Sequence, residues 1–233
     1  MNQTNYYQVN LNANQLYEVY QTELPKVRVY LDAEIAFVRD RLRGTECVLE
    51  LGAGYGRIMK ELAPFCSFIY GIEISEGSAV FGSEYLHSQG AANTHMVIMD
   101  AHNIKPNVFD TGFNIVLCMQ NALSSMKVEP LSYISKIMSM LCNEGRAYIS
   151  TYSEKFWEHR LEWFQEQASK GLLGKIDLWQ TKNGTIVCED GFKSITHSRE
   201  QLEEMGELCG YPYEIHEVNE SSIFLVISKI HRE

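Results

Sequence analysis

Three glycines at alternate positions follow a short apolar run and form the segment of this sequence best suited to hold a ligand. The run is 48–51, and Gly52, Gly54 and Gly56 come after it, followed by Arg57. Glycine permits a tight turn and lets a ligand approach the backbone closely because it has no Cβ. The dinucleotide fingerprint G-x-G-x-x-G would require a third glycine where Arg57 stands. The spacing therefore predicts a ligand-binding turn, and it disfavours a dinucleotide pyrophosphate as the ligand.

Polar side chains stand at the ends of the next three apolar runs. Glu73 ends the second run, Asp100 and Ala101 end the third, and Asn121 follows the fourth. Taken alone, each acid has a structural explanation, such as a helix N-cap for Asp100 or a solvated strand end for Glu73. Ligands of open α/β sheets bind outside the carboxyl ends of the strands. The order of these residues at successive strand ends therefore favours one ligand site.

This series resembles the motifs of class I S-adenosylmethionine-dependent methyltransferases, whose first motif is an acidic residue followed, after a gap, by G-x-G-x-G. The segment 120–123, Gln-Asn-Ala-Leu, is similar to one in glycine N-methyltransferase and related small-molecule enzymes. The resemblance implies an enzyme with S-adenosyl-L-methionine as its cofactor and a small-molecule methyl acceptor. It implies cofactor contacts from Glu50, Gly52, Ala53, Gly54, Gly56, Arg57, Glu73, Ile74, Asp100, Ala101, Met119 and Asn121.

The resemblance also implies a role for several of these residues. The acid at the position of Glu73 accepts hydrogen bonds from both ribose hydroxyls, which a carboxylate can do with its two oxygens. Asp100 and Ala101 resemble the motif that holds the adenine amino group. Arg57 is a candidate partner for the carboxylate of the cofactor, with Arg28 as a second candidate.

Methyl transfer from a sulfonium does not require a strong base when the acceptor is an amine that arrives deprotonated. Placing the acceptor close to the methyl group with water excluded supplies much of the rate. If a side chain takes part directly, the candidates are His102, Tyr20 and His159. A surface or structural role is the alternative for both histidines, and packing against the core is the alternative for Tyr20.

The elements that position these residues alternate between strands and helices. Strands are predicted over 47–51, 68–74, 95–99, 113–119, 146–151, 213–218 and 222–230. Helices are predicted over 57–63, 78–89, 131–141 and 199–209, with a looser connection over 101–110. Apolar strands in this alternation predict a parallel sheet covered on both faces. With the resemblance, the expected fold is α/β and Rossmann-like, with a mostly parallel seven-stranded sheet and helices on both faces.

Two segments do not belong to this alternation. Residues 1–44 are polar at first and then helical, with an interruption at Pro25, and we expect them to form an N-terminal helical cap. The methyltransferase domain then spans 45–233. It carries an insertion over 153–195, which combines an aromatic-rich helix with a β-hairpin whose turn is Asn183-Gly184. The aromatic residues of the cap and the insertion are expected to form a lid over the strand ends, or else to anchor both segments to the core.

Composition limits the classes of partner. The 233 residues carry 20 Lys and Arg against 30 Asp and Glu, a formal net charge of −10. This charge argues against nucleic acid, which requires basic side chains to neutralise phosphates. No apolar run is long enough to span a membrane, the first residues lack the features of a secretory signal, and the scattered cysteines suggest reduced thiols and no metal site. We therefore expect a cytoplasmic monomer or homodimer.

Three alternatives remain open from the sequence. The first is a protein as the acceptor instead of a small molecule, since the charge argues only against nucleic acid. The second is a domain that binds the cofactor without catalysing a reaction, because no fixed catalytic residue marks this family. The third, a nucleotide-dependent oxidoreductase, is disfavoured by Arg57. For a small-molecule acceptor, nitrogen is favoured slightly over oxygen and sulfur because of the resemblance around Asn121.

Overall fold

The computed structural model describes residues 6–109 and 112–230, and it contains the predicted alternation of strands and helices. The strands are β1 (Cys47–Leu51), β2 (Phe68–Glu73), β3 (Thr94–Ile98), β4 (Phe113–Cys118), β5 (Leu141–Tyr152), β6 (Thr185–Val187), β7 (Lys193–Ile195), β8 (Tyr213–Val218) and β9 (Ser222–Ser228). The helices are α1 (Tyr6–Val9), α2 (Ala13–Val19), α3 (Pro25–Arg39), α4 (Arg57–Leu62), α5 (Glu76–Ser88), α6 (Ala122–Ser125), α7 (Pro130–Met140), α8 (Trp157–Ser169) and α9 (Arg199–Leu208). Residues 1–5 of the predicted cap, Asp110 of the predicted connection and residues 231–233 of the predicted domain lie outside the described residues.

Seven strands form the central sheet in the order β3-β2-β1-β4-β5-β9-β8. β1 is parallel to both of its neighbours, β2 and β4, and β9 is antiparallel to β5 and β8. The predicted α/β fold with a mostly parallel seven-stranded sheet is therefore confirmed. Because β1 to β4 are parallel, their carboxyl ends meet at one edge, which brings the predicted site residues together.

Two hydrophobic clusters cover the two faces of the sheet. One contains Ile134 and Ile137 of α7 and Leu202 of α9. The other contains Met59 of α4 and Leu86 of α5, together with residues of α3. Burial on both faces explains why β1 and β9 are apolar along almost their whole length.

A third cluster joins the N-terminal helices to the insertion. Val27 and Tyr30 of α3 pack in it with Trp163 of α8, Ile186 of β6 and Phe192 of the insertion. The indole Nε1 of Trp163 also donates a hydrogen bond of 3.1 Å to the carbonyl of Val19, although the two residues are far apart in sequence. Residues of the predicted cap and of the predicted insertion therefore share one core, which lies against the carboxyl edge of the sheet.

Pro25 does more than interrupt the predicted N-terminal helix, because it occupies the first turn of α3. Proline is favoured there since the first helical N–H groups have no intrahelical acceptor. α3 then buries Tyr30, Glu34 and Val38 along one face. Glu34 is the exception among these apolar neighbours, being a carboxylate with 0% of its surface exposed.

The predicted hairpin around Asn183-Gly184 is present only as irregular pairing. Residues 175–180 and 185–189, which flank the turn, are joined by an isolated antiparallel bridge between Ile176 and Cys188, and Lys182 pairs with Thr185 across the turn. The regular ladder instead joins β6 to β7. Asn183 does adopt the left-handed conformation expected of such a turn, with φ 51°, so the turn forms without a continuing ladder.

The cysteines are free thiols at positions 47, 66, 118, 142, 188 and 209. Burial raises the pKa of Cys118 to about 12 and that of Cys66 to about 11, so these two remain protonated and unreactive. Within the described ranges, no His, Cys, Asp and Glu side chains group in a way that could hold a metal ion. Over the same ranges, no helix is both long enough and apolar enough to cross a bilayer.

Candidate active site at the carboxyl edge of the sheet

The glycine turn after β1 has the conformation that its sequence predicts. Gly52 and Gly54 have φ values of 73° and 58°, in the left-handed region that side chains with a Cβ rarely adopt. The N–H groups of Gly52 and Ala53 both donate to the carbonyl of Ile72, at 2.9 Å. A Cβ at Gly54 would lie only 2.9 Å from Cδ2 of Leu16, so α2 packs directly on this turn.

Glu73 joins the end of β2 to this turn. One carboxylate oxygen accepts the N–H of Gly54 at 2.8 Å, and the other accepts the N–H of Ser75 at 2.8 Å. Burial raises the pKa of Glu73, and these backbone donors act against the rise because they favour the charged form. Since the two carboxylate oxygens together have about four acceptor positions, these backbone donors leave acceptor capacity for a ligand.

A cavity lies along this edge of the sheet, and we call it the main cavity. Of the predicted cofactor-binding residues, it is lined by Glu50, Gly52, Ala53, Gly54, Arg57, Glu73, Ile74 and Met119. Tyr20, one of the three candidates for catalysis, lines it as well. A smaller side recess shares Gly52 and Glu73 with it and is also lined by Asp100, Ala101 and His102. The structure thus brings residues of four strand ends to one place.

Gly56 and Asn121 are predicted cofactor contacts that line neither space. Gly56 turns the chain into α4 with φ 80°, and a Cβ there would lie 2.8 Å from Cδ1 of Leu86. Asn121 has both ends of its carboxamide occupied: Nδ2 donates to the carbonyl of Ile195 at 2.7 Å, and Oδ1 accepts from the hydroxyl of Thr151 at 2.9 Å. The geometry therefore assigns Asn121 to holding β7 against β5.

A test of this assignment is the variant Asn121→Ala. We expect it to lower the free energy of unfolding by about 2 kcal/mol, because it removes two buried hydrogen bonds and alanine must adopt φ 61°. S-adenosylhomocysteine affinity should change by less than about threefold, because Asn121 lines neither the main cavity nor the side recess. Urea unfolding and calorimetric titration measure the two quantities. Asn183→Ala is the matched control, since Asn183 has φ 51° and is exposed. If Asn121→Ala lost more free energy of binding than free energy of unfolding, Asn121 would be assigned to ligand binding instead.

Arg57 and Glu50 place a guanidinium group and a carboxyl group inside the main cavity. The guanidinium carbon of Arg57 lies 4.7 Å from the centre of the Tyr20 ring. Nη2 of Arg57 and Oε2 of Glu50 are buried and have no hydrogen-bond partner among the described residues. Burial raises the pKa of Glu50 to about 8, against the influence of the Arg57 charge. Buried polar atoms without partners are costly, so this pair is suited to a ligand with charged groups.

The three candidates for direct catalysis differ in position. Burial raises the pKa of Tyr20 far above neutrality, so its phenol can donate a hydrogen bond but cannot act as a base. His102 lies in the side recess, where its Nδ1 is 2.8 Å from Oδ1 of Asp100. His159 is half-exposed on α8, with Nδ1 3.7 Å from Oε2 of Glu162, and it lines neither space.

Asp100 caps the short 3₁₀ helix that follows β3. Its Oδ1 accepts the N–H of His102 at 2.9 Å as well as the contact with the imidazole. Although partial burial acts to raise it, these hydrogen bonds hold the pKa of Asp100 below its ordinary value. Asp100 therefore acts as the N-cap that the sequence offered as an alternative, and it also lines the side recess.

Sequence reasoning included Tyr7 only among the aromatic residues of a general lid, and it missed Gln120 and Ser125 as lining residues. Tyr7 of α1 lines the main cavity and forms a side-chain hydrogen bond with Ser125 of α6. Gln120 lines it as well, although the resemblance points to Asn121 within that segment. Arg28, the second candidate for the cofactor carboxylate, is instead at the surface, where its Nη2 lies 2.7 Å from Oε1 of Glu23. The tyrosines of the polar N-terminal segment were the signal for the predicted lid, but which of them reaches the main cavity depends on the tertiary fold.

Comparison with known proteins decides the family. A family model described as a methyltransferase domain matches residues 43–220. The chain belongs to this family. The predictions of a class I S-adenosylmethionine-dependent methyltransferase, of an enzyme and of its cofactor are thereby confirmed. None of the curated proteins matches this methyltransferase in sequence.

Solved structures share the fold of this methyltransferase at low sequence identity. A complex of DhpI with SAH has a TM-score of 0.64 at 13% identity, over 94% of each chain. The 1,6-didemethyltoxoflavin-N1-methyltransferase of Burkholderia thailandensis, solved with 1,6-didemethyltoxoflavin and S-adenosylhomocysteine, has a TM-score of 0.62 at 13% identity, over 94% of this chain and 84% of that one. The [4+2]-cyclase SpnF has a TM-score of 0.62 at 16% identity, over 86% and 81%. These matches establish the fold, which hosts more than one reaction.

Proposed function

We propose that this methyltransferase transfers a methyl group from S-adenosylmethionine to a nitrogen atom of a small-molecule acceptor. The observation that carries the proposal is that the N-terminal helices cover the main cavity, with Tyr7, Leu16 and Tyr20 in its lining, and are themselves packed against the insertion. The hydroxyl of Tyr6 donates to Oδ2 of Asp190 at 2.5 Å, and Tyr7 of the same short helix reaches Ser125. A cavity covered by these helices suits an acceptor small enough to fit beneath them, whereas a macromolecule needs an open groove.

The residues present fit the cofactor. S-adenosylmethionine, when bound, supplies a methyl group on a positively charged sulfur together with a carboxylate and an ammonium group. The remaining acceptor capacity of Glu73 suits the ribose hydroxyls, and the side recess at Asp100 and Ala101 suits the adenine. Nη2 of Arg57, which has no partner in the described part of the chain, suits the carboxylate. The glycine turn leaves the space that these contacts need.

The chemistry that these residues support is an in-line displacement. Bound S-adenosylmethionine would supply the methyl carbon to the lone pair of an acceptor nitrogen that arrives uncharged. The electron pair of the broken carbon–sulfur bond would pass to sulfur, and the positive charge would pass to the methylated nitrogen, which releases its proton to water. Tyr7 and Tyr20 exclude water from the cavity, and exclusion of water strengthens every electrostatic interaction inside it. Aromatic faces also tolerate a nearby positive charge, which suits a sulfonium. Positioning and desolvation then supply most of the acceleration.

Several observations support the finer parts of the proposal. The likeness of segment 120–123 to glycine N-methyltransferase and the nitrogen acceptor of the toxoflavin enzyme favour nitrogen. The net charge of −10 argues against a nucleic-acid acceptor. We include in the proposal a monomer or homodimer in the cytoplasm that binds no membrane.

The experiment that tests the proposal has two stages. Calorimetric titration with S-adenosylmethionine and S-adenosylhomocysteine should show binding of both, and failure of both to bind at millimolar concentration would contradict the cofactor assignment. Incubation with matched panels of amines, phenols and carboxylic acids should then release S-adenosylhomocysteine only with amines. If only hydroxyl compounds were methylated, the acceptor atom would be oxygen and not nitrogen. If only a protein extract were methylated, the proposal of a small-molecule acceptor would be wrong.

A further inference from the structure

Glu34 is a buried carboxylate that the cofactor-binding motifs do not include. It lies on α3, which covers the sheet face opposite to α7, and none of its surface is exposed. One oxygen accepts a hydrogen bond from the hydroxyl of Ser150 at 2.6 Å. The other oxygen has no partner with full hydrogen-bond geometry in the described ranges, although the side chains of Tyr30 and Gln120 act on the carboxylate and favour its charged form. A buried carboxylate oxygen in this state requires an explanation, because its desolvation is only partly compensated.

Glu34 is connected to the main cavity through the ends of β4 and β5. The hydroxyl of Ser150, which donates to Glu34, also accepts the N–H of Gln120 at 2.9 Å. Gln120 lines the main cavity, and its Nε2 is likewise buried without a partner among the described atoms. Gln120 and Asn121 have φ values of 53° and 61°, so the backbone at this strand end is held in a conformation that costs energy. The Glu34–Ser150–Gln120 chain is therefore built into the cavity wall.

Charged and titratable groups surround Glu34 from each neighbouring element. Arg57 of α4 is the cation that acts on it, and the phenols of Tyr20, Tyr30 and Tyr152 complete the surroundings. Burial raises the pKa of Glu34 to about 7, while the hydrogen bond from Ser150 and the charge of Arg57 act in the opposite direction. The carboxyl group is thus poised to gain or lose its charge near neutral pH.

We propose that Glu34 is a positioning residue for the cofactor. Acting through Ser150 and Gln120, it attracts the positively charged sulfur. In its ionised form it places negative charge behind the strand end where the methyl group is transferred. Transfer converts the sulfonium into an uncharged thioether, so the attraction is present for S-adenosylmethionine and absent for S-adenosylhomocysteine. The inference rests on the proposed function, since it assumes that the main cavity holds this cofactor.

The test compares the affinities of S-adenosylmethionine and S-adenosylhomocysteine in the wild type and in Glu34→Gln, from about pH 5.5 to about pH 8.5. Ionisation favours the cationic cofactor, so the part of the preference for S-adenosylmethionine that Glu34→Gln removes should rise as the pH approaches 7 and level off above it. At pH 8 the ratio of the affinity for S-adenosylmethionine to that for S-adenosylhomocysteine should be about tenfold lower in the variant than in the wild type. This is the size of one interaction between partly buried charges. Titration in buffers of different ionisation enthalpy should also show that the wild type releases more protons than the variant on binding S-adenosylmethionine.

Two further variants complete the design. Glu46→Gln removes a buried carboxylate at the opposite end of β1, where it accepts the N–H groups of Arg43 and Thr45, and it should leave the preference unchanged. Ser150→Ala removes the hydrogen bond that lowers the pKa of Glu34, so the midpoint of the pH dependence should move upward. Glu50 also titrates in this pH range. Because Glu50 is present in both proteins, the difference in preference between the wild type and Glu34→Gln reports on Glu34.

The outcomes separate the two proposals. A wild type that binds neither compound contradicts the proposed function. A wild type that binds both, with an unchanged preference in Glu34→Gln, overturns the role of Glu34 and leaves the proposed function in place. If circular dichroism shows that Glu34→Gln is unfolded, Ser150→Ala decides, and an unshifted midpoint in that variant overturns the inference.

Discussion

Replacing Glu73 by alanine should weaken the binding of S-adenosylhomocysteine by about a hundredfold or more. The carboxylate accepts the N–H groups of Gly54 and Ser75, both at 2.8 Å, and so fixes the glycine turn to the end of β2. Hydrogen bonds to a charged group contribute about 1.5–3 kcal/mol each, so losing two from the turn, in addition to the ribose contacts, produces an effect of this size. No other single carboxylate in the site joins two of the strand ends in this way among the described hydrogen bonds.

Calorimetric titration measures the effect, and Glu76→Ala is the matched control. Glu76 is also an acid near the end of β2, but it is exposed on α5, so its removal changes the charge without changing the turn. We expect the control to bind within about twofold of the wild type. Equal affinity in Glu73→Ala and the wild type would show that the ribose is held elsewhere.

The variant Arg160→Ala should lower the free energy of unfolding by about 3–5 kcal/mol, because several buried acceptors lose a charged donor at once. Arg160 is 1% exposed. Its Nη1 donates to the carbonyl of Gly184 at 2.8 Å and to the hydroxyl of Thr196, and its Nη2 donates to the hydroxyl of Ser194 at 2.8 Å. The guanidinium also lies 4.5 Å from the centre of the Tyr152 ring. This one side chain therefore fastens the hairpin of β6 and β7 to α8 and β5.

Urea unfolding measures this change, with Arg199→Ala as the control. Arg199 pairs with Glu203 on the exposed surface of α9, and an exposed pair of this kind contributes about 0.5 kcal/mol or less. A destabilisation of Arg160→Ala no larger than that of the control would show that the hairpin is held by apolar packing alone. Limited proteolysis should cut the variant first within the insertion, because the hydrogen bonds of the Arg160 guanidinium hold that segment in place.

The strand ends were predictable because their signals are local. An apolar run specifies a strand that is buried on both faces, and the glycines after β1 specify a turn with positive φ values. Parallel strands then bring their carboxyl ends to one edge without further information. Glu50, Glu73 and Asp100 therefore appear in the structure at the places that the sequence predicts, as soon as the order of the strands is given.

The neighbouring residues of the same motifs show where local signals end. The resemblance of segment 120–123 to a related enzyme favours Asn121 over Gln120, yet Gln120 lines the main cavity and Asn121 holds the carbonyl of Ile195. Likewise, His159 is a candidate for catalysis from the sequence, whereas the adjacent Arg160 is a buried residue of that helix. The side of a helix or turn that faces inward depends on what packs against it, and neither partner is near in sequence.

By itself, the sequence determined the α/β core, the glycine turn, the acids at the strand ends and the family to which they belong, since each depends on residues within one strand–turn–helix unit. Only the tertiary structure decided which segments cover the main cavity and which residues, such as Glu34, lie behind its wall. Tyr6 and Asp190 are 184 residues apart, Glu34 and Ser150 are 116 apart, and Asn121 and Ile195 are 74 apart. Hydrogen bonds over such separations form only after the chain has buried both partners, and burial also sets the pKa of Glu34 near neutrality. No pattern within a single segment carries that information.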